Sequence, residues 1–161
     1  MLGEWQSARE HLEQGVALYD PQTYDNQAYL YGQDHGVTCL SFASWALWTL
    51  GYPNQALARS REAVNLAQEG SHLNTQAFAW TISLWVHEFR RDTQTVKERA
   101  EALISLAEEM GGALWNAWGM MFRGWAYVEQ DQPEEGIVQL ELRNSLPSSK
   151  KPEGGSSVKA G

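Results

Sequence analysis

The sequence predicts an all-α fold: a right-handed superhelical stack of antiparallel helix pairs, about three and a half repeats of roughly 40 residues each. Three observations predict it. A frame of leucine or tryptophan, glycine, proline and small residues recurs along the chain. Apolar residues between its copies fall at steps of three and four. No segment alternates apolar and polar residues over a useful length.

The frame is clearest at Leu50-Gly51-Tyr52-Pro53-Asn54-Gln55-Ala56-Leu57, which reads as a helix end, a turn and a helix start. Leu2-Gly3-Glu4-Trp5-Gln6-Ser7-Ala8 repeats its Leu-Gly and its alanine. Trp125-Ala126-Tyr127 through Asp131, Pro133, Gly136 and Ile137 aligns without a gap on Trp45-Ala46-Leu47 through Gly51, Pro53, Ala56 and Leu57. A weaker copy lies between them, from Leu84-Trp85-Val86 to Arg90-Arg91-Asp92 and Thr95-Val96. Gly51 suits the left-handed residue that closes a helix. Pro53 and Pro133 stand where a helix begins, and proline loses nothing in a first turn. Ala56 and Gly136 are small where two helices would approach closely.

Seven helices follow in order. The first, over residues 3–19, carries Trp5, Leu12 and Val16. The second, 36–50, has Leu40, Ala43, Leu47 and Leu50 on one stripe. The third, 53–69, has Ala56, Leu57, Ala63, Val64 and Ala67, and Gly70 ends it. The fourth, 73–91, has Ala77, Ile82, Trp85, Val86 and Phe89. The fifth, 93–110, has Val96, Ala100, Leu103, Leu106 and Met110, and Gly111-Gly112 ends it. The sixth covers 114–130. The seventh, 133–144, opens on Pro133 with Glu134-Glu135 in its first turn, where acidic side chains suit the helix dipole. Residues 20–35 are too long for a simple turn, and Tyr24, Tyr29, Leu30 and Tyr31 make them an ordered loop. Residues 1–144 form the repeat domain. Residues 145–161, rich in Ser, Gly and Lys and poor in apolar residues, form a disordered tail.

Composition narrows the function. The 161 residues are 43% hydrophobic, enough for one domain with a core. Twelve Lys and Arg against 20 Asp and Glu give a formal charge of -8, which disfavours phosphate-backbone binding. The single cysteine, Cys39, has no internal partner and reads as a small buried residue in a reducing compartment. No charge-flanked apolar leader opens the chain, and no run approaches the ~18 apolar residues of a membrane helix. The expected location is the cytoplasm. Eight tryptophans need a core or an interface to hold their large surfaces.

The residues also carry a resemblance. It rests on Tyr19-Asp20-Pro21-Gln22, Leu30-Tyr31-Gly32-Gln33-Asp34, Gly36-Val37, Cys39-Leu40-Ser41, and Trp45-Ala46-Leu47-Trp48 through Leu50-Gly51-Tyr52-Pro53. Gln55-Ala56-Leu57, Arg59-Ser60, Glu62-Ala63, Glu98-Arg99-Ala100-Glu101-Ala102-Leu103, Trp118-Gly119 and Arg123-Gly124-Trp125-Ala126 extend it. Together they resemble the C-terminal tetratricopeptide-like (TPR-like) region of bacterial proteins that join a class III adenylate/guanylate cyclase domain to an AAA- or STAND-type predicted ATPase. The resemblance covers residues 2 to 140. It implies a helical-repeat signalling arm, bacterial and non-enzymatic, and no cyclase or ATPase residue carries over. The first helix lacks a partner and the last runs into Leu146-Pro147, so a fragment of a longer solenoid is expected. Its uncapped ends, Trp5/Leu12/Val16 and Ile137/Leu140, would then support weak self-association.

The first helix of each pair in such repeats lines the concave face. The candidate groove therefore consists of Trp45, Trp48, Trp80, Leu84, His87, Trp118, Met121 and Trp125, alongside Thr38, Ser41, Glu88 and Glu129. Five of these are tryptophans, which suits an aromatic groove for a partner segment or helix; the bland reading is that the rings fill space between helices. No cofactor, metal, nucleic acid or membrane is expected. His11, His35, His72 and His87 have no second ligand at metal spacing and read as surface or capping residues. No catalytic set stands out, so a small helical enzyme or metalloprotein is the weakest alternative. The other keeps the fold and makes the chain the repeat arm of an ATPase-type transcription regulator of the LuxR/MalT-like kind.

Overall fold

A computed structural model describes residues 2–21, 32–70 and 72–145. These residues hold seven helices and no strand: α1 Leu2–Leu18, α2 His35–Thr49, α3 Pro53–Glu69, α4 Leu73–Phe89, α5 Thr93–Met110, α6 Ala113–Glu129 and α7 Pro133–Ser145. The bounds agree with the periodicity to within two residues. Tyr19 lies beyond α1 and donates its hydroxyl to Asp34 Oδ2 at 2.6 Å. Asp34 in turn caps α2 by accepting from the Val37 N–H. Ser145, given to the tail by composition, is the last residue of α7. The loop tyrosines and the rest of the tail lie outside the described residues.

Helices α3 to α7 begin at Pro53, Leu73, Thr93, Ala113 and Pro133, every twentieth residue. One turn geometry sets most of this rhythm. Gly51, Arg91, Gly111 and Asp131 are left-handed, with φ of 85°, 54°, 68° and 58°. At each turn two backbone bonds close the preceding helix, such as Gly51 N–H to Trp48 O and Tyr52 N–H to Leu47 O, both 2.9 Å. The same pair recurs at Asp92 to His87, Gly112 to Ala107 and Gln132 to Tyr127, the Schellman pattern. The closing residue then starts the next helix: the carbonyls of Tyr52, Asp92, Gly112 and Gln132 accept from Ala56, Val96, Asn116 and Gly136. With one residue serving both helices, the chain reverses in two or three residues and neighbours run antiparallel. Gly70 ends α3 differently, in extended backbone, and His72 caps α4 by accepting from the Thr75 N–H.

Each helix packs on its chain neighbours, and α4 also touches α2 and α6. The even-numbered helices thus form one layer. Their sequences suit it. α2 has no Asp, Glu, Lys or Arg, α4 has only Glu88, and α6 has only Arg123 and Glu129. By contrast α3 and α5 are amphipathic, burying Ala56, Ala63 and Ala67 or Val96, Ala100 and Leu103 and turning charge outward. Leu84, Leu103 and Phe122 are fully buried in the core between α4, α5 and α6, each contributing about 1.5–3 kcal/mol.

Close approach needs the small residues. A Cβ on Gly136 would lie 2.9 Å from the Gly124 carbonyl oxygen and 2.7 Å from Val128 Cγ2. One on Gly119 would meet Ile104 Cγ1 at 2.6 Å and the Ala100 carbonyl at 3.1 Å. Arg59 of α3 clamps Glu13 of α1 through hydrogen bonds of 2.6 and 3.1 Å.

Candidate functional site

The outward side of the α2/α4/α6 layer is aromatic. Phe42 meets Trp45 and Phe78 edge-on, with centroids 6.1 and 5.7 Å apart. Trp45 meets Trp85 at 6.2 Å. Trp85 then contacts Phe89, Trp118 and Phe122 at 6.1, 5.8 and 5.1 Å. Trp48 stacks on Phe89 at 5.5 Å, and Trp118 tilts against Phe122. Eight rings from three helices form one connected network with Trp85 at its hub. Most are half-buried; Phe42 and Phe89 stand out, 37% and 44% exposed, and Phe122 is the buried floor.

Helical geometry explains which expected residues join this face. Trp45, Trp48 and Trp118 do. Met121 and Trp125 are half-buried against the core cluster of α4, α5 and α6, as Trp118 and Trp85 are, and Trp125 lies only about 20° around α6 from Trp118. On α4 two of the expected residues leave the face. Trp80 packs against both core clusters, Leu84 is 0% exposed and His87 4% exposed, so Leu84 and His87 line no groove. At 100° per residue, Trp80 lies 140° around the helix from Trp85. Phe78, Trp85 and Phe89, at steps of seven and four, hold the outward position instead. Because α4 is apolar nearly all round, periodicity found two stripes and could not tell inside from outside. Ser41, also expected on the face, is buried.

The two ends of the face differ. At the amino end of the layer, polar groups are paired: Trp115 Nε1 donates to Asn74 Oδ1 at 2.8 Å, Asn74 Nδ2 to the Gly32 carbonyl at 2.7 Å, and the Asp34 N–H to Thr75 Oγ1 at 3.2 Å. At the carboxyl end stand Glu88 and Glu129. Burial, then the neighbouring Glu129, pushes the Glu88 carboxyl up from its ordinary value. Its Oε2 is buried without a hydrogen-bond partner among the described residues, as is Trp45 Nε1. Glu129 accepts from Arg91 Nη1 at 3.0 and 3.3 Å, and the Arg91 side chain is 76% exposed.

His87 is a buried structural residue, not a surface or capping one. Its Nδ1 lies 3.0 Å from Asp92 Oδ2, while Asp92 Oδ1 accepts from the Thr95 N–H at the start of α5. One carboxylate thus ties the end of α4 to α5. Burial, then the nearby Arg99 charge, lowers the His87 pKa against the opposing pull of Asp92. Cys39 packs where a Cβ on Gly15 would come within 2.7 Å of its Sγ; burial, then Asp34, raises its pKa. Among the described residues no group of three or more His, Cys, Asp or Glu could hold a metal, and no helix is long and apolar enough to cross a membrane. Toward the chain's ends, Trp5 and Ile137 are exposed while Leu12 and Val16 are half-buried; the side chain of Leu140 lies outside the described residues. No family model, curated protein or solved structure matches this chain.

Proposed function

We propose that the chain is a protein-interaction module of the cytoplasm that holds a partner segment across the aromatic face of α2, α4 and α6. The observation that carries this is the eight-ring network itself. Phe42 and Phe89 stand exposed beside five partly buried rings on an almost uncharged three-helix face, in a chain of net charge -8, and large aromatic side chains concentrate where proteins bind. In this reading the helices build a TPR-like right-handed superhelical stack. The twenty-residue rhythm of helix starts supports a repeat stack, since two helices then make a unit within the ~20–50 residues of repeat architectures.

The resemblance supports a biological role as a regulatory or sensor arm of a nucleotide cyclase/ATPase signalling protein, acting by binding and not by catalysis. Partner binding would bias the enzyme domains attached to it.

The test is a titration of the chain with cyclase and ATPase domains of such a fusion protein, followed by tryptophan fluorescence. Saturable binding is expected, weakened more than about tenfold by Phe42→Ser with Phe89→Ser, two exposed rings whose loss leaves the core intact. Undiminished binding by that variant, or tryptophans uniformly protected from acrylamide, refutes the reading.

A further inference from the structure

We infer that the carboxyl end of the aromatic face takes a cationic side chain, an arginine or lysine of a partner segment whose apolar residues lie along the rings. This rests on the interaction reading and adds the partner's charge and register.

Charge on the layer is the first argument. Of its three charged residues, Arg123 lies five residues and so 140° around α6 from Trp118, away from the face. That leaves Glu88 and Glu129, both in the last turn of their helices. Alternate helices of an antiparallel series run parallel, so the ends of α2, α4 and α6 bring three negative dipole ends together there.

Aromatic surface is the second. Glu88 stands three residues after Trp85 and beside Phe89, whose ring stacks on Trp48. A cation over these rings gains from their quadrupoles while it meets the carboxylates. Arginine suits this best, because its planar guanidinium can lie on a ring and donate at its edge.

The third is unused capacity. Glu88 Oε2 is buried with no donor, and that carboxylate meets a second one and no cation within bonding distance among the described residues. The cations at this end are those of the α4–α5 turn. Arg90 is exposed, and Arg91 holds Glu129 from a largely solvated position, so an incoming guanidinium can replace it. An acidic segment would meet two carboxylates and three dipole ends of its own sign, with only the two solvated arginines of the turn to offset them.

The probe is a short amphipathic peptide of leucine, phenylalanine and arginine, compared with the same peptide carrying citrulline, which keeps arginine's shape without its charge. Both are titrated into the full chain at low salt, with tryptophan fluorescence as the readout. The arginine peptide is expected to bind about tenfold more tightly, the margin shrinking with salt. Glu88→Gln with Glu129→Gln should abolish the margin between the two peptides. Arg91→Gln, far from the core, should widen it, which keeps the inference testable if the double variant folds poorly by circular dichroism. Equal affinity of the two peptides overturns the cation inference and leaves the groove reading standing. No response to either peptide removes both. Preference for a glutamate version, or sedimentation showing the face closed by a second copy, overturns the inference as well.

Discussion

Lowering the pH from about 7.5 to about 5.5 is expected to destabilise the fold through His87. The ring is 4% exposed, its Nε2 has no hydrogen-bond partner among the described residues, and Arg99 lies close enough to oppose a second positive charge. Burial and Arg99 together outweigh the Asp92 bond, so the folded pKa falls below the ordinary 6.5. The sign follows. A histidine whose folded pKa is depressed is protonated first in the unfolded chain. Its contribution is complete above the unfolded value and is lost as pH falls below it. The limiting slope for one proton is about 1.4 kcal/mol per pH unit, so up to about that much disappears between pH 6.5 and 5.5.

Two carboxylates nearby also respond to pH. Asp92 is held below its ordinary 3.8, with burial opposing the stronger combined effect of its bonds to Thr95 and His87; its contribution is lost only at lower pH. Glu88 is raised above 4.5, so its protonation favours the folded state and acts in the opposite sense. The assay is urea unfolding by circular dichroism at both pH values, for the natural chain and for His87→Gln, which cannot titrate. The natural chain should lose more stability than the variant, by no more than the one-proton limit of about 1.4 kcal/mol per pH unit. Equal losses in the two proteins would refute the reasoning.

Two further predictions rest on backbone geometry. Gly119→Ala should cost about 1–3 kcal/mol, because the Ala100 carbonyl and the Ile104 N–H cannot yield as a flexible side chain would, whereas Gly3→Ala, with nothing within 4 Å, should gain up to about 1 kcal/mol in helix propensity; thermal unfolding distinguishes them, and equal shifts would sink the close-packing argument. Asp131→Gly should raise stability by a few tenths to about 1 kcal/mol by relieving a left-handed non-glycine residue, while Gly51→Ala should lower it by about 1 kcal/mol; urea midpoints moving the other way would contradict the turn assignment.

Helix positions were legible because turn chemistry and apolar spacing agree at Gly51-Tyr52-Pro53 and at Asp131-Gln132-Pro133. The turn at Arg91 was legible only through its alignment with these, since arginine gives no sign that it adopts positive φ. The small residues at positions 56 and 136 also read correctly, as sites of close approach. The face of α4 did not. With apolar side chains nearly all round, Trp80, Leu84 and His87 looked as suitable as Phe78, Trp85 and Phe89, and only the neighbouring helices decide between them. His87 misled for a further reason: what makes it tolerable in the core is Asp92, five residues on and beyond a reversal of the chain, a partnership that linear spacing does not advertise. The Glu88–Glu129 pair is likewise invisible in sequence, because the two residues are adjacent only once α4 and α6 lie side by side.

The ring network changes how load would travel through the molecule. In a row of helices that touch mainly their neighbours, a displacement at one end dies out within a helix or two. Here Trp85 meets rings from α2 on one side and from α6 on the other, so three helices share a single point of aromatic contact. A segment seated against Trp48 or Phe89 would therefore bear on α2, α4 and α6 at once.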